Sequence, residues 1–247
     1  SVLLVADPGK KIEVYLDGAL KYSYDLPQDF TFSDPNMRFA LGGGSCWGNL
    51  YNPFIGELKN VEIYDFAFNQ LQIISYNVNG KLTSSDIAEQ EIVDPLTRYE
   101  FKDAANPGKD SMGNYDLELK DADGVAEGTG VVSASEGVAT FNGTAGLRAS
   151  SNENDISEVL KSFTLAFDIK ASTEHSSWAE PVSFGWNAWE PTKWGTFQFS
   201  GYSNLLRYST GANIDGTTNA FWAHEIGNVK TDGFQSVLLI AEPGKKI

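Results

Sequence analysis

Apolar and polar residues alternate with period two in short stretches along most of the chain. Ser162–Ala171 (SFTLAFDIKA) is the cleanest case, with Phe163, Leu165, Phe167 and Ile169 on one face. Successive side chains of a strand point to opposite faces, so this pattern predicts a strand with one face in a core. Lys11–Leu16 alternates in the same way, and Asp17-Gly18 then predicts a tight hairpin turn into Ala19–Tyr24. Primed turns need positive φ, which Gly adopts without steric cost. Further strands are predicted at Val2–Ala6, Arg38–Leu41, Phe54–Phe66, Thr97–Phe101, Tyr115–Leu119, Gly130–Val132, Val138–Phe141, Pro181–Trp186, Thr196–Phe199, Leu205–Tyr208 and Ala220–Ile226. In Phe54–Phe66 the candidate core positions are Ile55, Leu58, Val61 and Ile63. A long loop through Trp47 and Tyr51, a helical turn around Gln70–Tyr76 and a polar linker over 77–91 complete the reading. Many short strands with regularly spaced turns predict an all-β sandwich of two antiparallel sheets.

The two ends repeat each other. Residues 1–12 read SVLLVADPGKKI and residues 236–247 read SVLLIAEPGKKI, differing only as Val5/Ile240 and Asp7/Glu242. This is a repeat with an offset of 235, and the chain covers slightly more than one period. It opens inside an apparent strand, as expected of a piece cut from something longer. Residues 1–90 are then the second half of one domain and residues 91–247 the first half of the next. Segment 236–247 duplicates the strand at 1–12, and both suit the same slot in one sheet. The fold is therefore expected to be circularly permuted or half-swapped, with closure within one chain favoured. One duplicated strand is left over in either case, an edge open to self-association with a second molecule.

Composition narrows the partners. The net charge of −15 repels phosphate backbones and anionic lipid, which argues against nucleic acid and membrane insertion. It suits neutral glycans, calcium, or simply solubility. The single cysteine, Cys46, excludes an intramolecular disulfide, and no apolar run reaches membrane-spanning length.

Several segments together resemble a known family. FQSVLLIAEPGKKI (234–247), continued by IEVYLDGALKYSY (12–24), looks like a strand–turn–strand of laminin G-like, or concanavalin A-like, jelly rolls. RFALGGG (38–44) with FIGELKNVEIYDFAFNQLQI (54–73) resembles that family's closing strand and helical turn. YEF (99–101), KDSMGNYDLEL (109–119), GVATFNGTAGL (137–147) and SFTLAFDIKA (162–171) resemble its opening strands. The pieces stand in permuted cyclic order. Lys59-Asn60 replaces the family's usual acidic pair, and Asp168 replaces its usual Trp. The resemblance implies an antiparallel two-sheet jelly roll, and it makes the KDSMGN turn a frequent structural calcium site. Asp110 and Asn114 would supply oxygens there, and Asp65 could approach from the closing strand. An ordinary turn stabilised by the Asp side chain is the competing reading.

Tryptophan is the main pointer to function. Trp178, Trp186, Trp189 and Trp194 fall within seventeen residues, and Trp222 lies near His224. An exposed indole stacks on the apolar face of a pyranose while polar neighbours bond its hydroxyls. The candidate ligand set is Trp186, Trp189, Trp194, Trp222 and His224, with Trp47 and Tyr51 from the loop after the triple glycine. Arg207 joins it as a partner for a carboxylate. Each ring could equally fill core. Catalysis finds no support, because His175 and His224 lack metal-ligand spacing and no E-x-D-x-E triplet of strand carboxylates occurs. The expected role is a non-catalytic, carbohydrate-binding (lectin-like) repeat of a large extracellular protein, secreted or at a bacterial cell surface. The rival is a structural or adhesive spacer that binds protein or no ligand.

Overall fold

The structure, a computed structural model, describes residues 11–25, 36–79, 94–174, 177–185, 194–214 and 218–242. Within these, the side chains of Gln70, Trp194, residues 210–214 and 218–223, and Glu242 lie outside the description. The strand expected at Val2–Ala6 lies outside the described residues.

The chain forms two antiparallel sheets packed as a sandwich. In order, the elements are β1 (Lys11–Leu16), β2 (Ala19–Asp25), β3 (Met37–Leu41), β4 (Gly44–Cys46), β5 (Asn49–Tyr51), β6 (Ile55–Tyr64) and α1 (Gln70–Asn79). There follow β7 (Thr97–Tyr99), β8 (Leu117–Asp121), β9 (Val132–Ser135), β10 (Val138–Asn142), β11 (Ala145–Ala149) and β12 (Phe163–Ala171). The last are β13 (Val182–Phe184), β14 (Trp194–Phe199), β15 (Leu205–Ile214), β16 (Thr218–Asn228) and β17 (Gln235–Glu242). One sheet runs β2-β1-β17-β12-β6-β10-β9, with β7 also on β6. The other runs β16-β15-β14-β13-β3-β11-β8, with β4 on β3 and β5 on β4.

The turn between β1 and β2 is the primed type, with Asp17 at φ 47° and Gly18 at φ 81°. Between the sheets, Val14, Leu58, Ile63, Phe163, Leu165, Phe167 and Leu239 meet Phe39, Leu41, Leu147, Phe184 and Phe197. The spacing of Leu58 and Val61, three apart in a strand, is explained by a bulge. Asn60 takes φ 52°, and the β12–β6 register shifts between Ala166 and Asp168, so both residues face the core. Ile55, expected in the core, is only half-buried at the start of β6.

Strand β17 is apolar from Val237 to Ala241 because both of its faces are covered there. Val237, Leu239 and Ala241 face the sandwich core. Leu238 and Ile240 pack with Tyr15, Tyr64, Phe68, Ile73 and Tyr76 beneath α1. Each such large side chain contributes roughly 1.5–3 kcal/mol by burial. The helix starts where Asn69 Oδ1 accepts from the amides of Leu71 and Gln72, both at 3.0 Å, and Gln72 Oε1 accepts from the Asn69 amide at 2.8 Å. This reciprocal cap carries α1 to Asn79, beyond the single turn and into the stretch read as linker. Glu62 then ties helix to sheet, accepting from Tyr64 (2.9 Å), Tyr76 (3.1 Å) and Arg98 (2.7 Å).

Where a long loop was expected through Trp47 and Tyr51, the chain forms the β4–β5 hairpin. Its Leu50 packs on Ala40 and Ala122. A Cβ on Gly43 would come within 2.6 Å of Leu50 Cγ, and one on Gly146 within 2.8 Å of Leu50 Cδ2. Glycine is needed at both positions for that approach.

Candidate functional site

The outward face of the nine-stranded sheet carries polar side chains where β13, β14 and β15 run together. Phe197 and Phe199 of β14 enter the core, so Thr196 and Gln198 point away from it. Register sets Gln198 opposite Arg207 and Arg207 opposite Glu225, with Ser183, Thr196 and Ser209 aligned in the neighbouring row; Ser183, Thr196, Gln198 and Ser209 are all buried. The segment before β13 is fastened beside the end of β14. The Phe199 amide donates to the Ala179 carbonyl at 2.9 Å, and the Trp178 amide donates to the Gly201 carbonyl at 3.3 Å.

That fastening brings two exposed aromatic residues to one end of the sheet. Trp178 adopts φ 64° and is 43% exposed. Tyr202 follows Gly201 in the β14–β15 turn and is 82% exposed. The turn is held by Ser203 Oγ, which donates to the Ser200 carbonyl at 2.6 Å and accepts from the Leu205 amide at 3.3 Å. The Arg207 guanidinium lies 5.9 Å from the Trp178 ring centroid, within cation–π range. Among the described residues, Arg207 Nε and Ser209 Oγ are buried atoms without a hydrogen-bond partner.

Beside this group sits a buried carboxyl. Asn52 Nδ2 donates to Glu180 Oε1 and Thr196 Oγ1 to Oε2, both at 2.7 Å, while the Glu180 amide donates to the Asn52 carbonyl at 2.9 Å. Burial pushes the Glu180 carboxyl up to about 8, against the opposing pull of its hydrogen bonds from Asn52, Thr196 and Gln198. The arrangement latches the chain leaving β5 to the start of β13.

The residues expected from sequence are dispersed. Trp186 and Trp189 lie outside the described residues, on the connection between β13 and β14. Trp194 opens β14 opposite Gly211, and Trp222 stands in β16 opposite Thr210; the side chains of both are outside the description. His224 stacks on Tyr22 of β2, with ring centroids 3.9 Å apart and planes 15° from parallel, at the edge where the two sheets meet. Burial and the Arg207 charge hold its pKa below the usual value. Trp47 is 46% exposed at the tip of the β4–β5 hairpin, its amide bonded to the Asn36 carbonyl at 2.8 Å. It therefore lies beside the Met37 end of β3, toward the Phe184 end of β13 and away from Trp178. Tyr51 packs with Met37 and Cys46, and Asn49 Nδ2 donates to its hydroxyl at 3.1 Å. Of the expected set, Arg207 alone is seen beside Trp178. Tyr202, Gln198, Glu180 and Asn52 were not anticipated. Tyr202 carried a usable signal, an aromatic residue inside the turn sequence GYSN.

The Asp110 turn does not fit a calcium ion. Asp110 is fully buried, and its two oxygens accept four backbone N–H bonds, from Arg98 and Met112 at 2.9 Å and from Asn114 and Tyr115 at 3.0 Å. Those donors take up the lone pairs and present positive hydrogens where a cation would sit. The Asn114 side chain turns its amide nitrogen to the Leu96 carbonyl, and Asp65 is exposed beyond the end of β6. Among the described residues, no group of three or more His, Cys, Asp or Glu is placed to hold a metal.

A concavity of about 390 Å³ opens elsewhere, near the ends of β6 and β12, where Glu57 and Lys170 pair at 2.9 Å beside Thr140 and Thr231. It presents no exposed aromatic ring. No helix among the described residues is long and apolar enough to cross a membrane. No family model matches the chain, and neither does a curated protein or a solved structure.

Proposed function

We propose that this sandwich is a laminin G-like jelly roll in permuted order, acting as a non-catalytic carbohydrate-binding repeat of an extracellular protein. The glycan site is the end of the nine-stranded sheet where Trp178, Tyr202 and Arg207 gather. The observation that carries the reading is two exposed aromatic residues at one end of the sheet, with Trp178 beside the Arg207 guanidinium, whose buried Nε has no hydrogen-bond partner among the described residues. An indole or phenol face covers the C–H face of a pyranose, and the Arg207 guanidinium is the donor for its hydroxyls or carboxylate. One such platform binds weakly, and tandem copies raise avidity without new contacts.

The test is a glycan array of neutral and carboxylate-bearing sugars, followed by titration of tryptophan fluorescence with any hit. Binding that is lost in Trp178→Ala supports the reading. A blank array, or binding indifferent to both Trp178→Ala and Tyr202→Ala, overturns it. The spacer reading draws on a different observation, the register of β1 on β17 described next.

A further inference from the structure

The slot between β1 and β12 has two candidate occupants in one chain. In the structure β17 fills it, with Lys11 opposite Glu242, Glu13 opposite Ile240 and Leu16 opposite Val237 on one side. On its other side Phe163 faces Ala241 and Phe167 faces Val237. Shifted by the repeat offset, Glu242 corresponds to Asp7, Ile240 to Val5 and Val237 to Val2. The same register written for the N-terminal copy would set Asp7 opposite Lys11 and leave Pro8-Gly9-Lys10 as a three-residue connection. Loops of that length are common in hairpins. Every side chain that β17 buries in the core, Val237, Leu239 and Ala241, has an identical counterpart in Val2, Leu4 and Ala6. Beneath α1, Leu238 corresponds to Leu3 and Ile240 to Val5. Nothing in packing or pairing therefore strongly distinguishes the two segments.

We infer that residues 1–7 and 236–242 compete for this slot, and that the displaced C-terminal strand enters the same slot of a second copy of this chain. Both competitors are tethered to the body they fill, so displacement is intramolecular and needs no free partner. A C-terminal strand released this way exposes Leu238, Leu239 and Ile240, which are buried when paired. The equivalent slot of a neighbour buries them again. The resulting contact is head-to-tail. It grows as an open chain whose first member is closed by its own N-terminal copy. The interface is the one that successive repeats would share, so the inference stands independently of glycan binding.

Cross-linking separates the states. In a Cys46→Ala background, Glu13→Cys and Ile240→Cys in one chain report the closed form through an intramolecular disulfide. The two substitutions are then placed in separate molecules, mixed and oxidised. A disulfide-linked heterodimer is expected, falling at least tenfold when residues 1–10 are removed and absent when Leu239→Cys replaces Ile240→Cys. Light scattering on the unmodified chain is expected to show mass rising with concentration. A chain that stays monomeric throughout, or a heterodimer yield unaffected by removing residues 1–10, overturns the inference.

Discussion

Asn60 donates from Nδ2 to Asp168 Oδ2 at 2.7 Å, joining positions 108 apart in the chain. Asn60 is the left-handed residue of the β6 bulge, a conformation that Asn tolerates better than most residues. Asp168 also accepts from Ser236 Oγ and lies 3.9 Å from Lys59 Nζ, so it ties β12 to both of its neighbours. Asn60 and Asp168 together hold the bulge and the start of β17.

A substitution series at Asn60 separates backbone from side chain. Asn60→Gly keeps the bulge and loses one partly solvated bond, costing about 0.5–1 kcal/mol. Asn60→Val adds a β-branched side chain at positive φ and is expected to cost roughly 2–3 kcal/mol. Urea unfolding measures both, and equal losses for the two variants would contradict the account.

Legibility in the sequence followed local periodicity. The β1–β2 hairpin, β12 and the sandwich itself were readable because alternation and the Asp17-Gly18 turn are local signals. The β4–β5 hairpin was not, because its Leu50 packs on Gly146 and Ala122, both far along the chain. The β15–β16 pair runs several residues past the predicted strands, through Gly211 and Asn213, where strand propensity is poor and pairing overrides it. The candidate site was the least legible part. Trp178 reaches the turn that carries Tyr202 because the segment before β13 docks beside the β14–β15 turn, and no spacing in the sequence encodes that.

Glu180 makes stability depend on pH in a defined direction. Its carboxyl titrates near the ordinary 4.5 when unfolded and at about 8 when folded. Below 4.5 both states hold the proton and burial is uncharged. Between 4.5 and 8 the unfolded chain gives up its proton while the folded chain keeps it, so stability falls as pH rises across that window. The loss is on the order of a few kcal/mol. Glu180→Gln keeps the shape and cannot ionise, so its thermal stability is expected to lose this slope between pH 5 and 8. A wild-type profile already flat over that range would refute the assignment.

Asp110 is expected to matter for the fold and not for metal binding. Asp110→Ala strands four backbone donors and is expected to cost about 3 kcal/mol or more. Asp110→Asn replaces one acceptor oxygen with a donor and falls between that variant and wild type. The melting temperature of the unsubstituted chain is expected to be the same in excess calcium and in chelator. A calcium-dependent rise that Asp110→Asn abolishes would restore the metal site.

Trp178 gives the sharpest separation between binding and folding. Its indole is half-exposed, yet its backbone sits at φ 64°, which costs a non-glycine residue roughly 1–2 kcal/mol. A purely structural tryptophan would repay that cost through packing, and any truncation would then destabilise the fold. If the ring serves a ligand, the strain serves function, and Trp178→Gly should relieve it. The expected outcome is a Trp178→Gly protein at least as stable as wild type in urea, with glycan affinity reduced tenfold or more. Trp178→Ala keeps the strained backbone and should bind as poorly without the gain in stability. Tyr202→Ala is expected to weaken binding with little change in stability, because the turn is held by Ser203 and not by the phenol ring. A large loss of stability in Trp178→Gly would instead mark the indole as a packing residue, and the aromatic platform would lose its main support.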